Sequence, residues 1–214
     1  MNKINTNRHY FLYSTLSDEL KHLYCKTIFN FVSKLVFEYP GFQSWYKSLF
    51  AANYELYAER EIIICEADYR VVAIAILKSN FQEKKICTFR VAKEYQHQGI
   101  GKELMELSFE WLENDSPIIT LHRNKLGQFS KLLNYYNFSL EQTHMHYYNM
   151  FSTELVYNGA LLEKEMFFNP IEIIDIGKIY EKFVLAREHD INEYIRMCIE
   201  YWYRKGQFKQ FQLS

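Results

Sequence analysis

Nothing in this 214-residue sequence approaches the roughly 20 consecutive apolar residues that a membrane-spanning helix needs, and its longest run covers only residues 71–77. No crossing of a bilayer is expected. Residues 1–8 lack an apolar stretch followed by a small-residue cleavage site, so the default location is the cytoplasm. Cysteine is sparse, and Cys25, Cys65, Cys87 and Cys198 are scattered without the paired spacing of a metal site. They read as reduced core thiols. Charge of one sign is also missing, because 25 Lys and Arg against 26 Asp and Glu leave a formal net charge of −1. That balance speaks against a large nucleic-acid face. Internal repeats and low-complexity tracts are absent too.

Hydrophobic residues make up 49% and charged residues 24%, values that fit one large globular domain or a domain with an appendage. Aromatics reach 18%, with 18 Tyr and 17 Phe, and are read as spread over ordinary core and surface positions instead of as stacking platforms. A short strand is expected over residues 9–13. Ser17, followed by Asp18 and Glu19, is placed to cap a helix whose apolar stripe runs to Leu35. Pro40-Gly41 breaks that helix, and a shorter one follows over residues 42–50. Residues 62–65 and 71–76 read as an antiparallel hairpin, and residues 84–91 as a third strand on which Cys87, Phe89 and Val91 share one face. A helix over 101–113, a strand over 118–122, a helix from Leu126 to about Asn137 and further strands to the Asn158-Gly159 turn complete an α/β or α+β domain with a mixed sheet.

Residues 160–214 form a separate unit by composition, with helices expected near 176–184 and 190–206. The apolar stripe of Tyr194, Cys198 and Trp202 must be covered, either by the sheet or by a second copy in a homodimer.

The chemistry is concentrated in residues 91–102, where a strand meets a helix through a loop holding Gly99 and Gly101, two of only 7 glycines. A helix start exposes unsatisfied N–H groups and a positive dipole, so this turn is suited to phosphate. It lacks the third glycine of a dinucleotide fingerprint and the Gly-Lys-Ser/Thr of a P-loop. Gln96-His97-Gln98-Gly99-Ile100-Gly101 instead resembles the coenzyme A motif of the GNAT superfamily of N-acyltransferases. The resemblance extends over about residues 16–159. It implies a mostly antiparallel central sheet flanked by helices, acetyl-CoA as cosubstrate, no metal, and an amine acceptor that is a small molecule or a peptide.

Carried over position by position, the resemblance implies that Phe89 and Val91 line the pantetheine arm. It also implies that the amides of Gln96, Gln98, Gly99, Gly101 and Lys102 hold the diphosphate, and that Asn124 touches the coenzyme. The family's usual thiolate-protonating Tyr is replaced by Leu133, leaving Tyr135 and Tyr136 as candidate acids, and Asn137-Phe138 stands where Gly-Phe is usual. An amine with a pKa near 10 needs a base before it can attack a thioester, and His122 at a strand end is the candidate. Glu61, Glu66 and His97 are weighed behind it, and His144 and His146, alternating with Met145, could bind a metal only with further ligands. A nucleophilic role for Cys87 is set aside in favour of direct attack. Two other functions stay open: a catalytically silent acyl-CoA-binding module, and a toxin-like acylase of aminoacyl-tRNA.

Overall fold

Continuous apolar runs rich in β-branched residues over 60–77 build the centre of the sheet. The computed structural model describes residues 8–39, 41–145, 147–148 and 153–161. The chain divides into two units, Met1–Ala160 and Leu161–Ser214. The helices expected within 160–214, together with Cys198 and His146, lie outside the described residues.

Strands β1 (Arg8–Leu12), β2 (Arg60–Ala67), β3 (Arg70–Ser79), β4 (Lys84–Val91), β5 (Ile118–His122), β6 (Leu140–Met145) and β7 (Thr153–Tyr157) form one seven-stranded sheet. Its order is β1-β2-β3-β4-β5-β7-β6, and β4–β5 is the parallel pair among antiparallel neighbours. Asp68 and Tyr69 both take left-handed φ values, 51° and 60°, which matches the twist of the two-residue β2–β3 hairpin.

Both faces of β2 and β3 are buried, so these central strands are apolar on both sides. Ile62, Ile64, Ile74 and Ile76 pack with Ile28 and Val32 of α1 (Asp18–Val32) and with Phe42 and Tyr46 of α2 (Phe42–Lys47). Ile63, Cys65, Ala73 and Ala75 pack on the opposite side with Leu104 and Met105 of α3 (Ile100–Leu112) and Leu133 of α4 (Leu126–Tyr135).

Three departures from the sequence reading concern α1 and β4. Ser17 stands at the N-cap of α1, but its side chain makes no capping bond. The apolar stripe reaching Leu35 leaves the α-helix at Val32, because the chain tightens into a 3-10 turn over Ser33–Phe37. Finally, Cys87 does not share a face with Phe89 and Val91. It packs with the α1–α2 side while those two pack with α3–α4, because a bulge intervenes.

Candidate functional site

Two irregularities coincide on β4. Its register with β3 places Ile76 opposite Thr88 and Leu77 opposite Ile86, which makes Cys87 the extra residue of a β-bulge. Its pairing with β5 consists only of Lys85 with Ile118 and Ile86 with Ile119, although both strands run on. A bulge bends and twists its strand, so β4 turns away from β5 where the extra residue enters. A wedge opens between residues 87–91 and the end of β5. Phe89 meets Phe129 of α4 edge to face at 6.0 Å on one side of it. On the other side the Arg60 guanidinium lies 3.4 Å from the Cys87 sulfur, and burial pushes that thiol's pKa up, which opposes a thiolate nucleophile.

The loop between β4 and α3 ends at the wide side of the wedge. Gly99 caps α3 with φ 91°, a value that favours glycine. Its carbonyl accepts from the amides of Lys102 (2.9 Å) and Glu103 (3.1 Å), and the Gln96 amide donates to Lys93 O at 3.3 Å. The amides of Gln98, Gly99, Ile100 and Gly101 find no acceptor among the described residues. Gln96 also uses its side chain, donating from Nε2 to the Val91 carbonyl at 3.1 Å and pinning the loop to the strand. His97 is exposed and left-handed.

Arg8 of β1 donates to the Gln98 carbonyl at 2.9 Å and lies 3.6 Å from Glu103, adding a positive charge to this helix start. The sequence reading did not include it, because only the β1–β2 pairing brings residue 8 beside residue 98.

Tyr135 and Tyr136 stand against the first turns of α3. The Lys102 ammonium donates to the Tyr135 hydroxyl at 2.8 Å and lies 4.6 Å from its ring centre. The Tyr136 hydroxyl donates to Glu106 at 3.1 Å, and burial is the main cause raising its pKa. Leu133 is buried in the core. Asn137 adopts φ 54°, the left-handed helix end that its type tolerates.

On the far wall, His122 ends β5 and its Nδ1 accepts from the Asn124 amide at 3.1 Å. Burial lowers its pKa against the opposing pull of Glu38. Asn124 itself is exposed. Glu38 pairs with Lys125 at 2.7 Å. Beside His122 in the β5–β7 register lies Glu154, fully buried. The sequence reading passed over it, although a lone carboxylate between Thr153 and Leu155 in an apolar strand was a visible signal. Among the described residues, no group of three or more His, Cys, Asp or Glu is arranged to hold a metal ion, and no helix is long and apolar enough to cross a membrane.

The sequence matches the model of the acetyltransferase (GNAT) family over residues 20–126. Comparison with curated proteins finds no match. Among solved structures, an acetyltransferase assigned to the GNAT family from Desulfovibrio desulfuricans is 13% identical, with 70% of this chain and 96% of that one covered at a TM-score of 0.49. The ribosomal-protein-S18-alanine N-acetyltransferase from Escherichia coli is 16% identical, with 52% of this chain and 77% of that one covered at 0.41. A proposed streptothricin acetyltransferase from Bacillus anthracis, in complex with acetyl coenzyme A, is 18% identical at 0.43, with 49% of this chain and 64% of that one covered. This chain therefore spans less than two thirds of that relative.

Proposed function

The chain belongs to the GNAT acetyltransferase family, and on that premise we propose that it moves an acetyl group from acetyl-CoA to a primary amine by direct attack, in the cytoplasm. Acetyl-CoA is the family's cosubstrate and supplies the activated carbonyl. One observation carries the reading: a glycine-capped helix start with unpaired amides faces the strand that a bulge has peeled from its neighbour.

These residues fit the coenzyme. The amides of Gln98, Gly99, Ile100 and Gly101 hold the diphosphate in the positive field of α3, and the Arg8 side chain adds charge to it. Gln96 shapes the loop through its bond to Val91. Phe89 and Val91 line the arm, and Asn124 bounds it across the wedge. The main chain of β4 beyond Ile86, freed from β5, supplies an N–H to the carbonyl oxygen as negative charge gathers there. Tyr135 returns a proton to sulfur: its hydroxyl accepts from Lys102, so its own proton is not committed, whereas that of Tyr136 is given to Glu106. The amine must shed a proton first, and the far wall around His122 is where it does so.

Leu133, buried where the resemblance expects a Tyr, favours a second reading as a silent acyl-CoA-binding module. Release of free thiol from acetyl-CoA, screened over polyamines, aminoglycosides, amino acids and peptide N-termini, separates the two. Amine-dependent release is the expected result. Binding without release for every amine contradicts the enzyme.

A further inference from the structure

Glu154 has two carboxyl oxygens that are buried and lack any hydrogen-bond partner, the only such side-chain atoms among the described residues. Its neighbours Leu155 and Tyr157 pack beneath α3 and α4, so alternation turns Glu154 to the opposite side, the α1–α2 side of the sheet. The register sets it between His122 of β5 and His144 of β6. Directly paired residues lie about 4.5–5.5 Å apart at Cα, so Glu154 stands one strand beyond the wall of the wedge.

The charged and titratable groups around it come from several elements. They are Glu38 from the turn after α1, Lys85 from β4, the two histidines, and the hydroxyls of Tyr39 and Tyr148. Glu38 is paired with Lys125, and His144 Nε2 is bonded to Gln142 at 2.9 Å. A buried carboxylate without a partner is a cost to folding, and such groups are kept where they do chemistry.

His122 is differently placed. A neutral imidazole has one lone-pair nitrogen, and here Nδ1 already accepts from the Asn124 amide. Nε2 therefore carries the hydrogen, an assignment that follows from the bonding pattern. His122 can donate, but it can accept a proton only by breaking that bond. Glu154 has every lone pair free. Burial is the first cause raising its pKa from the usual 4.5 to about 7, with Glu38 pushing the same way and Lys85 opposing.

We propose that Glu154, and not His122, takes the proton of a cationic primary-amine acceptor, relayed by water and not by direct contact, while His122 orients that amine through Nε2–H. The assignment rests on the acetyl-transfer reading above. The ammonium gives one proton to Glu154, and its nitrogen lone pair forms the C–N bond. The C–S bond breaks with its electron pair leaving on sulfur, which takes a proton from Tyr135. A second nitrogen proton restores Tyr135, and the proton on Glu154 passes to water. The acceptor class follows from the base: an ammonium has a proton that a carboxylate can take, whereas a neutral hydroxyl or amide is too weak an acid to give one up to it.

The test compares the unaltered protein with Glu154→Gln and His122→Gln, using kcat and KM against pH, thermal protection by coenzyme A, and the carboxyl 13C signal of Glu154 in the free protein. Glu154→Gln should keep its coenzyme protection, lose about 10²–10⁴-fold in kcat, and lose the rise in rate through about pH 7. His122→Gln should act mainly on KM. The carboxyl signal should titrate near 7 without any ligand. Full turnover with an intact pH profile in Glu154→Gln, or titration near 4.5, overturns the assignment alone. No turnover by the unaltered protein with any amine overturns the acetyl-transfer reading on which it rests.

Discussion

A carboxyl held near pH 7 by burial also leaves a mark on stability. The folded protein binds a proton at Glu154 below about pH 7, and the unfolded chain does so only below about 4.5. Between those values the folded state carries the extra proton. Stability should therefore fall as pH rises through that window and then level off, by at most about 3 kcal/mol. Glu154→Met removes the effect, so its melting temperature relative to the unaltered protein should climb from pH 5 to pH 8. An equal offset at both values contradicts a raised pKa. On the acid side, Tyr135→Phe should cost about 10²-fold or more in kcat, and Tyr136→Phe, already tied to Glu106, clearly less. Steady-state kinetics at saturating acetyl-CoA decides this, and equal losses count against Tyr135. Little of this was legible in the sequence. Gly99 and Gly101 declared themselves through scarcity and position, but the hydrogen bond that occupies His122 Nδ1 and the burial of Glu154 depend on strand register. The face of Cys87 was misread because alternation says nothing of an inserted residue.

Elements were more legible than side-chain roles. The third strand and the strand before α4 are read from sequence with the bounds they have in the structure, because β-branched runs between turn residues leave few alternatives. Helix ends moved by a residue or more: α3 stops at Leu112, since Glu113 takes a left-handed φ of 48°. On α3 the buried positions are Ile100, Leu104, Met105, Ser108 and Leu112, with Leu107 and Trp111 at the margin. The bulge had no sequence signal, yet it opens the wedge. The end of the sheet is tighter. A Cβ on Gly159 would lie 2.7 Å from Cγ1 of Ile118, so Gly159→Ala must displace the Ile118 side chain at the start of β5, which pairs with β4 at the root of the wedge. A loss of about 1–3 kcal/mol in denaturant unfolding is expected. An unchanged midpoint contradicts the packing described.

At the scale of the whole molecule, both signs of charge stand on each side of the wedge, in keeping with a total close to neutral. Arg8 and Lys102 lie with Glu103 and Glu106 at the start of α3, and Glu38 and Glu154 with Lys125 and Lys85 on the other side. Composition reports only the sum, so this placement was invisible before the strands were paired. The order of elements, in contrast, was readable, because two helices, a hairpin and a glycine-marked strand–helix turn have few ways to share one sheet. Everything proposed for the chemistry requires that the α3 start binds a diphosphate. Gly101→Asp tests that most directly, because Gly101 has room for a side chain, with a Cβ 3.9 Å from Val91, and an acidic residue in a first helical turn favours folding. The variant should melt at or above the temperature of the unaltered protein and lose its thermal protection by coenzyme A. Protection that survives the introduced carboxylate undiminished contradicts the account.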